Sequence, residues 1–472
     1  MNNKAITFIK NFSYSLTTNL ISMIISSIVV LIVPKLIGVE EYGYWQLYLF
    51  YTAYVGFLHF GWNDGIYLRY GGKEYKELDK NLFFSQFWMM VFLQFVIGLV
   101  ILVASTVYTT DINKLFIFKM TALCTLLVNV RYMLIYVLQG TNKIKEFAKI
   151  TMIEKVLYCC LILLLLLLGI RQYKLLIVAD IVGKVVSLIY STYCCRDIVF
   201  KKISDFYFNI VETINNISAG IKLMIANIAS ILIIGIVRFG IERSWDVSTF
   251  GKISLIISIS NLLMIFINAV GIVIFPMLRR TNEDNLPRIY TTMRTLLMVL
   301  LLGLLVSYYP LKVIISWWLP QYSVSLAFMA IVFPMCVYEG KMALLINTYF
   351  KTLRKEKLML SVNLVSLFLS IILTIMFTII FKNLTLAIFS IVLLLAFRCV
   401  LAEWFLSKIL NISVYKDILL EVIMSLIFIS TGWFITSSKG VVLYLVAFGL
   451  YLFFKRRDIT ITFQKVKQLV RI

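Results

Sequence analysis

Fourteen apolar stretches follow one another along the chain, separated by short polar connections, at 13–33, 45–62, 82–108, 115–139, 150–170, 175–195, 215–237, 253–276, 290–309, 323–346, 358–381, 383–407, 416–436 and 440–454. About 20 apolar residues cross a hydrocarbon core as a helix. Runs of this length without period-2 alternation exclude strands. The pattern predicts an all-α polytopic membrane protein of about 14 transmembrane helices. The polar positions have a pattern of their own. Basic residues gather in every second connection: Arg69 to Lys80, Lys143 to Lys149, Arg196 to Lys202, Arg279 to Arg288, Lys351 to Lys357, and the tail Lys455-Arg456-Arg457. Cytoplasmic loops carry the excess of Lys and Arg, so both termini are expected in the cytoplasm. Lys4 and Lys10 precede the first apolar run, which is too long for a signal peptide and has no small-residue cleavage site after it. That run is read as a retained helix.

Composition adds little to this picture and removes several alternatives. With 61% hydrophobic residues, 14% charged and a mean hydropathy of +0.95, a soluble core could not hide the apolar surface. The net charge of +22 would suggest nucleic acid in a soluble chain. Here it follows from membrane orientation, and no nucleic-acid partner is expected. The seven cysteines, Cys124, Cys159, Cys160, Cys194, Cys195, Cys336 and Cys399, all lie in apolar runs without a CxxC spacing, so they read as small hydrophobes. A single histidine, His59, excludes most metal sites and hydrolytic triads. No cofactor, metal or catalytic residue is expected. Tyr108, Tyr308, Tyr309, Trp317 and Trp318 fall where an outer aromatic belt would lie.

Two stretches about 200 residues apart look alike. Ile32-Val33-Pro34 closes the first span and Glu40-Glu41-Tyr42-Gly43 opens the second. Ile236-Val237-Arg238 closes the seventh and Ser248-Thr249-Phe250-Gly251 opens the eighth. An even number of spans separates them, as in a parallel repeat. The organisation expected is a six-helix lobe at 1–203, a second at 204–410, and a terminal helix pair with a basic tail at 411–472. Longer motifs carry a family resemblance. Leu36-Ile37-Gly38-Val39-Glu40-Glu41-Tyr42-Gly43, Phe60-Gly61-Trp62-Asn63-Asp64-Gly65-Ile66-Tyr67-Leu68-Arg69-Tyr70, Gln139-Gly140-Thr141-Asn142-Lys143-Ile144-Lys145-Glu146-Phe147-Ala148-Lys149 and Phe275-Pro276-Met277-Leu278-Arg279-Arg280 resemble segments of bacterial polysaccharide flippases. These belong to the multidrug/oligosaccharidyl-lipid/polysaccharide exporter superfamily. The resemblance covers roughly residues 10–400, through short, degenerate motifs. It implies two six-helix bundles around a central cavity and, as substrate, an undecaprenyl-diphosphate-linked oligosaccharide moved to the outer leaflet for O-antigen, capsule or a similar polymer. It also implies the bacterial cytoplasmic (inner) membrane as location and a polysaccharide polymerase as a further partner. The terminal helix pair favours this branch over the multidrug exporters, which usually have twelve helices.

Such a substrate wants cations for its diphosphate and hydroxyl or amide partners for its sugars, while its prenyl tail stays in membrane lipid. Ser15, Asn19, Ser22 and Ser26 share one face of the first helix, and Ser254, Ser258, Asn261 and Asn268 repeat the arrangement on the eighth. A stripe of this kind either lines a cavity or lets helices pack closely. Arg131 and Lys222 lie about 10 Å from the inner ends of their spans, placed either to hold a diphosphate or to snorkel to the headgroups. Arg69 stands near the inner mouth, for headgroup capture or simply for orientation. Arg294, Lys341 and Arg398, close to span ends, are expected to snorkel. His59, Asp64, Asp180 and Glu339 are candidates for coupling to H+ or Na+. Asp180 and Lys184, one turn apart, also read as an internal pair. The rival functions are a multidrug cation antiporter, which would want an acidic cavity, and a membrane polymerase or transferase. The latter would need a catalytic loop or paired carboxylates that the sequence does not offer.

Overall fold

A computed structural model of the chain describes residues 3–279, 285–435 and 439–462, with side chains for all of these except 3–12, 15, 16 and 265–279. Every regular element among them is helical: α1 Asn3–Leu36, α2 Val39–Val55, α3 Trp62–Tyr70, α4 Lys80–Tyr108, α5 Ile112–Gly140, α6 Ile144–Leu167, α7 Tyr173–Cys194, the one-turn α8 Arg196–Val199, α9 Ile210–Ser244, α10 Val247–Arg279, α11 Leu286–Leu304, α12 Tyr308–Trp318, the short α13 Met329–Val332, α14 Met335–Lys341 and α15 Asn347–Thr352, α16 Glu356–Thr374, α17 Leu384–Leu410, α18 Tyr415–Phe434 and α19 Lys439–Phe454. Twelve helical segments among the described residues are long and apolar enough to cross a membrane. The expected second and fourteenth spans fall on α2 and α19, which with 17 and 16 residues are not among these twelve.

The start of several spans is legible in single residues. Asp79 caps α4 by accepting from the amides of Asn81 (2.9 Å) and Leu82 (3.2 Å). Asp111 caps α5 in the same way, and Asn383 accepts from Leu386 at the start of α17. The second span departs from expectation. It stops at Val55, and the chain turns through Phe60 and Gly61, both at positive φ (52° and 84°), before restarting as α3. A helix broken inside an apolar environment leaves carbonyls that must find partners. Asn129 of α5 donates to the Val55 carbonyl (2.8 Å) and Gln94 of α4 to that of Leu58 (3.0 Å). Gly61 is required twice over, by its left-handed φ and by the backbone of α9, since a Cβ there would lie 2.6 Å from the Ile221 nitrogen.

The helices form two compact units. One comprises 1–228 with 247–251, the other 229–246 with 252–472. In the first, α5 is the central element, packed against α2, α3, α4, α6 and α7. The two aromatic–glycine pairs singled out as a repeat meet here. A Cβ on Gly251 would lie 2.6 Å from the Gly43 Cα, and Phe50 meets the Phe250 ring edge-on at 5.6 Å. In the second unit, α17 packs on α13, α14 and α16, and α18 on α13 and α19. The ninth span, expected to end at 309, continues to Trp318. Tyr308 is buried, with its hydroxyl on the Gly432 carbonyl at 3.3 Å. Trp317 is 79% exposed.

Candidate functional site

Polar chemistry inside each unit is built from ion pairs carried on apolar helices. In the first unit Arg131 of α5 is buried and paired with Glu154 of α6. It also donates to the Ser187 hydroxyl of α7 (3.1 Å), which donates onward to the Ile150 carbonyl (3.0 Å). One turn away on α7, Lys184 pairs with Asp180, and the Tyr48 hydroxyl of α2 donates to Asp180 at 2.6 Å. Four helices are laced by two cations and two carboxylates, which balance. A charge left alone at this depth costs about 2.5–3.5 kcal/mol on insertion scales, and pairing removes that burden.

At the end of this unit that carries the basic loops, Arg69 of α3 grips Glu212 at the start of α9 with two bonds (2.5 and 3.1 Å) and reaches Asn216 (2.5 Å). The Tyr70 hydroxyl adds a third bond to Glu212, at 2.7 Å. Beside this grip, His59 Nε2 lies 3.6 Å from the Asp64 carboxylate. His59 Nδ1 accepts from the Gly61 amide (3.0 Å), so the ring proton sits on Nε2, facing Asp64. Nearby, Asp197 of α8 accepts from the hydroxyl of Tyr75, in the connection after α3 (2.6 Å), and pairs with Lys80 at the start of α4 (3.4 Å). Burial pushes its carboxyl up, but the Tyr75 bond and the Lys80 charge outweigh that and hold it below the usual range.

The second unit holds the larger cluster. Arg294 of α11 bonds Glu403 of α17 (2.7 Å), Glu421 (2.6 Å) and Asp417 (3.1 Å) of α18. Lys341 of α14 pairs with Glu403 and lies 2.6 Å from Glu421. The Tyr290 hydroxyl also donates to Glu403, at 2.8 Å, and Lys455 beyond α19 pairs with Asp417. A separate fan surrounds Arg398 of α17, which donates to Asn363 (2.9 Å), Glu339 (3.0 Å) and Ser230 (2.8 Å) on three different helices.

The sequence-derived candidates divide accordingly. Arg131 is a paired, buried cation, and the Asp180–Lys184 pair forms as its spacing implies. Lys222 of α9 is exposed on an apolar helix and has no ion-pair partner among the described residues. Asn19 and Ser26 are exposed and Ser22 half-buried, so the α1 stripe is open. On α10, Asn261 is exposed and Ser254 accepts from Arg238 at 2.9 Å, whereas the Asn268 side chain lies outside the described residues. His59 and Asp64 come together, and Glu339 holds Arg398. Snorkelling is overturned for Arg294, Lys341 and Arg398. Each is only 2% exposed and tied to carboxylates on neighbouring helices. Glu154, Glu403 and Glu421 were missed, although a glutamate inside an apolar span is itself a signal that a buried cation faces it. No group of three His, Cys, Asp or Glu able to hold a metal occurs among the described residues.

The sequence model of the family described as polysaccharide biosynthesis protein matches residues 8–282. No match is found among curated protein sequences. Among solved structures, the fold is similar to that of the lipid II flippase MurJ in an inward closed conformation (TM-score 0.67, 11% identity, 95% of this chain and 99% of that one). It is also similar to an inward-facing multidrug resistance MATE family transporter of the MOP superfamily (TM-score 0.59, 12% identity, 84% and 99%). At these identities the likeness concerns the fold.

Proposed function

This chain belongs to the polysaccharide biosynthesis protein family, and from that premise we propose that it is a flippase. Its cargo is an undecaprenyl-diphosphate-linked oligosaccharide repeat unit, carried from the cytoplasmic to the outer leaflet of the bacterial cytoplasmic membrane for O-antigen, capsule or a similar polymer. Both termini lie on the cytoplasmic side, the organisation is two lobes with a terminal helix pair, and the lobes alternate in access. A polysaccharide polymerase consumes the product, and a proton or sodium ion couples through His59, Asp64, Asp180 or Glu339. The observation that carries the reading is Lys222, a cation exposed on an apolar helix with no carboxylate paired to it among the described residues. A diphosphate is the counter-charge such a group lacks. Arg69 captures the headgroup at the inner mouth. Arg131, already neutralised by Glu154, engages the diphosphate when it exchanges that partner. Asn19, Ser22, Ser26, Asn261 and Asn268 supply amide and hydroxyl contacts to sugars.

The test is made in cells lacking the chain. Accumulation of undecaprenyl-diphosphate-linked oligosaccharide on the cytoplasmic side, with loss of surface polymer and rescue by the intact gene but not by Lys222→Gln, supports the flippase. The similarity to a multidrug transporter fold makes a cation antiporter the second reading. It predicts no accumulation and altered sensitivity to cationic drugs.

A further inference from the structure

α5 is hemmed in by five helices of its own unit. Between Cys124 and Leu138 only Leu126, Tyr132 and Tyr136 escape burial. The two tyrosines are one turn apart, with ring centroids 6.0 Å apart and planes within 18°. Tyr67 of α3, 38% exposed, continues the row at 5.9 Å from Tyr136. Space for the rings is made by glycine. Tyr132 lies across Gly56, where a Cβ would sit 3.2 Å from it, and Tyr67 lies across Gly140.

None of these three hydroxyls has a hydrogen-bond partner among the described residues. By contrast Tyr48, Tyr75, Tyr173, Tyr290 and Tyr444 each donate to a carboxylate, amide or carbonyl oxygen. One turn before Tyr67 on α3 stands Asp64, buried and interacting electrostatically with Tyr136. Its oxygens accept no hydrogen bond from the described residues, and His59 waits behind at 3.6 Å.

Unbonded tyrosines often belong to a lipid-interface belt, but belt residues project from lipid-facing helices. Two of its rings lie on the most enclosed helix of the unit, and the third has a buried carboxylate one turn away on α3, which lipid would reject.

We propose that Tyr67, Tyr136 and Tyr132 form a stacking track for sugar rings, with Asp64 accepting from sugar hydroxyls. A pyranose has an apolar C–H face that lies flat on an aromatic ring and equatorial hydroxyls that point sideways to a carboxylate acceptor. A row of rings tolerates different sugars, because it reads a face rather than one hydroxyl pattern. The inference rests on the flippase reading and adds to it the part of the substrate that the cations do not touch.

The experiment uses the full chain in nanodiscs and two kinds of probe, undecaprenyl diphosphate alone and the same lipid carrying glucose, galactose or N-acetylglucosamine. The wild type should bind at least one glycosylated probe more tightly than the bare lipid. Y132L/Y136L, which keeps apolar bulk without a π face, should lose that increment by about tenfold while still binding the bare lipid. Y132F/Y136F should retain most of it, and Asp64→Asn should reduce it. An increment that survives Y132L/Y136L, or a wild type that binds bare and glycosylated lipid equally, overturns the track and leaves the flippase reading standing. A wild type that binds neither probe overturns both.

Discussion

α5 in the first unit and the stretch 325–352 in the second are the most enclosed apolar spans, with 78% and 89% of their most apolar windows buried, yet their backbones differ. α5 is one regular helix of 29 residues. The other stretch starts as a 3-10 turn at Ser325–Phe328 and breaks at Pro334, which lacks an amide to continue the ladder. It then passes through a π-helix at Met342–Ile346, directly after Lys341. α5 carries one buried cation facing one glutamate. The irregular stretch delivers Lys341 between two glutamates that also hold Arg294. Their open faces differ as well. That of α5 is aromatic, Tyr132 and Tyr136, whereas from Met329 to Phe350 only Glu339, Ala343 and Asn347 escape burial. A single pair can be hung on an ideal helix, while the four-charge cluster occurs where the helix has been remade.

The comparison can be broken most directly at Lys341. Lys341→Met should leave Glu403 and Glu421 sharing Arg294 alone and cost about 3–5 kcal/mol, read as loss of folded protein in detergent or a large drop in Tm. If the variant is as stable as the wild type, the cluster is not what holds α14, α17 and α18 together. Next in size is a double-mutant cycle on Arg131→Gln and Glu154→Gln. Each single change should cost about 3 kcal/mol and the double change less than their sum, because it leaves no unpaired charge. An additive result would dissolve the pair. Lys222→Gln should do the opposite, leaving Tm unchanged and lowering transport about tenfold, by loss of a charge-assisted contact worth about 1.5–3 kcal/mol. The smallest effect belongs to Asp197 of α8 and its Tyr75 and Lys80 partners. Asp197 is held below its usual pKa, so its contribution is present above the unfolded value and fades as pH falls through the lowered folded one. Asp197→Asn should remove under about 1 kcal/mol at neutral pH and flatten the acid limb of a stability–pH profile.

The hydropathy pattern made the all-helical class and the order of spans legible, because each buried or lipid-facing helix must be apolar along its length. It could not place the break at Val55. That break depends on Asn129 and Gln94 reaching across from other helices, and sequence neighbours of Val55 do not announce it. Glycine was legible as a signal but not as a partner. Tyr42-Gly43 and Phe250-Gly251 stood out as similar, and only the packing shows that they touch. The basic residues misled most. Arg294, Lys341 and Arg398 lie near span ends in the sequence, so exposure to headgroups was the economical expectation. Their carboxylate partners are 59 to 127 residues away, counting from Arg398–Glu339 to Arg294–Glu421, beyond any local pattern.

Membrane voltage acts on these groups unequally. Arg294, Lys341, Glu403 and Glu421 sum to zero, so a shift of that cluster as a body does no net work against a transmembrane field. Lys222 has no such compensation among the described residues. Any displacement of it across the potential is worth up to about 2.3 kcal/mol per 100 mV, and a bound diphosphate would reverse the sign of the moving charge. An empty and a loaded carrier would then be driven by the same potential in opposite directions.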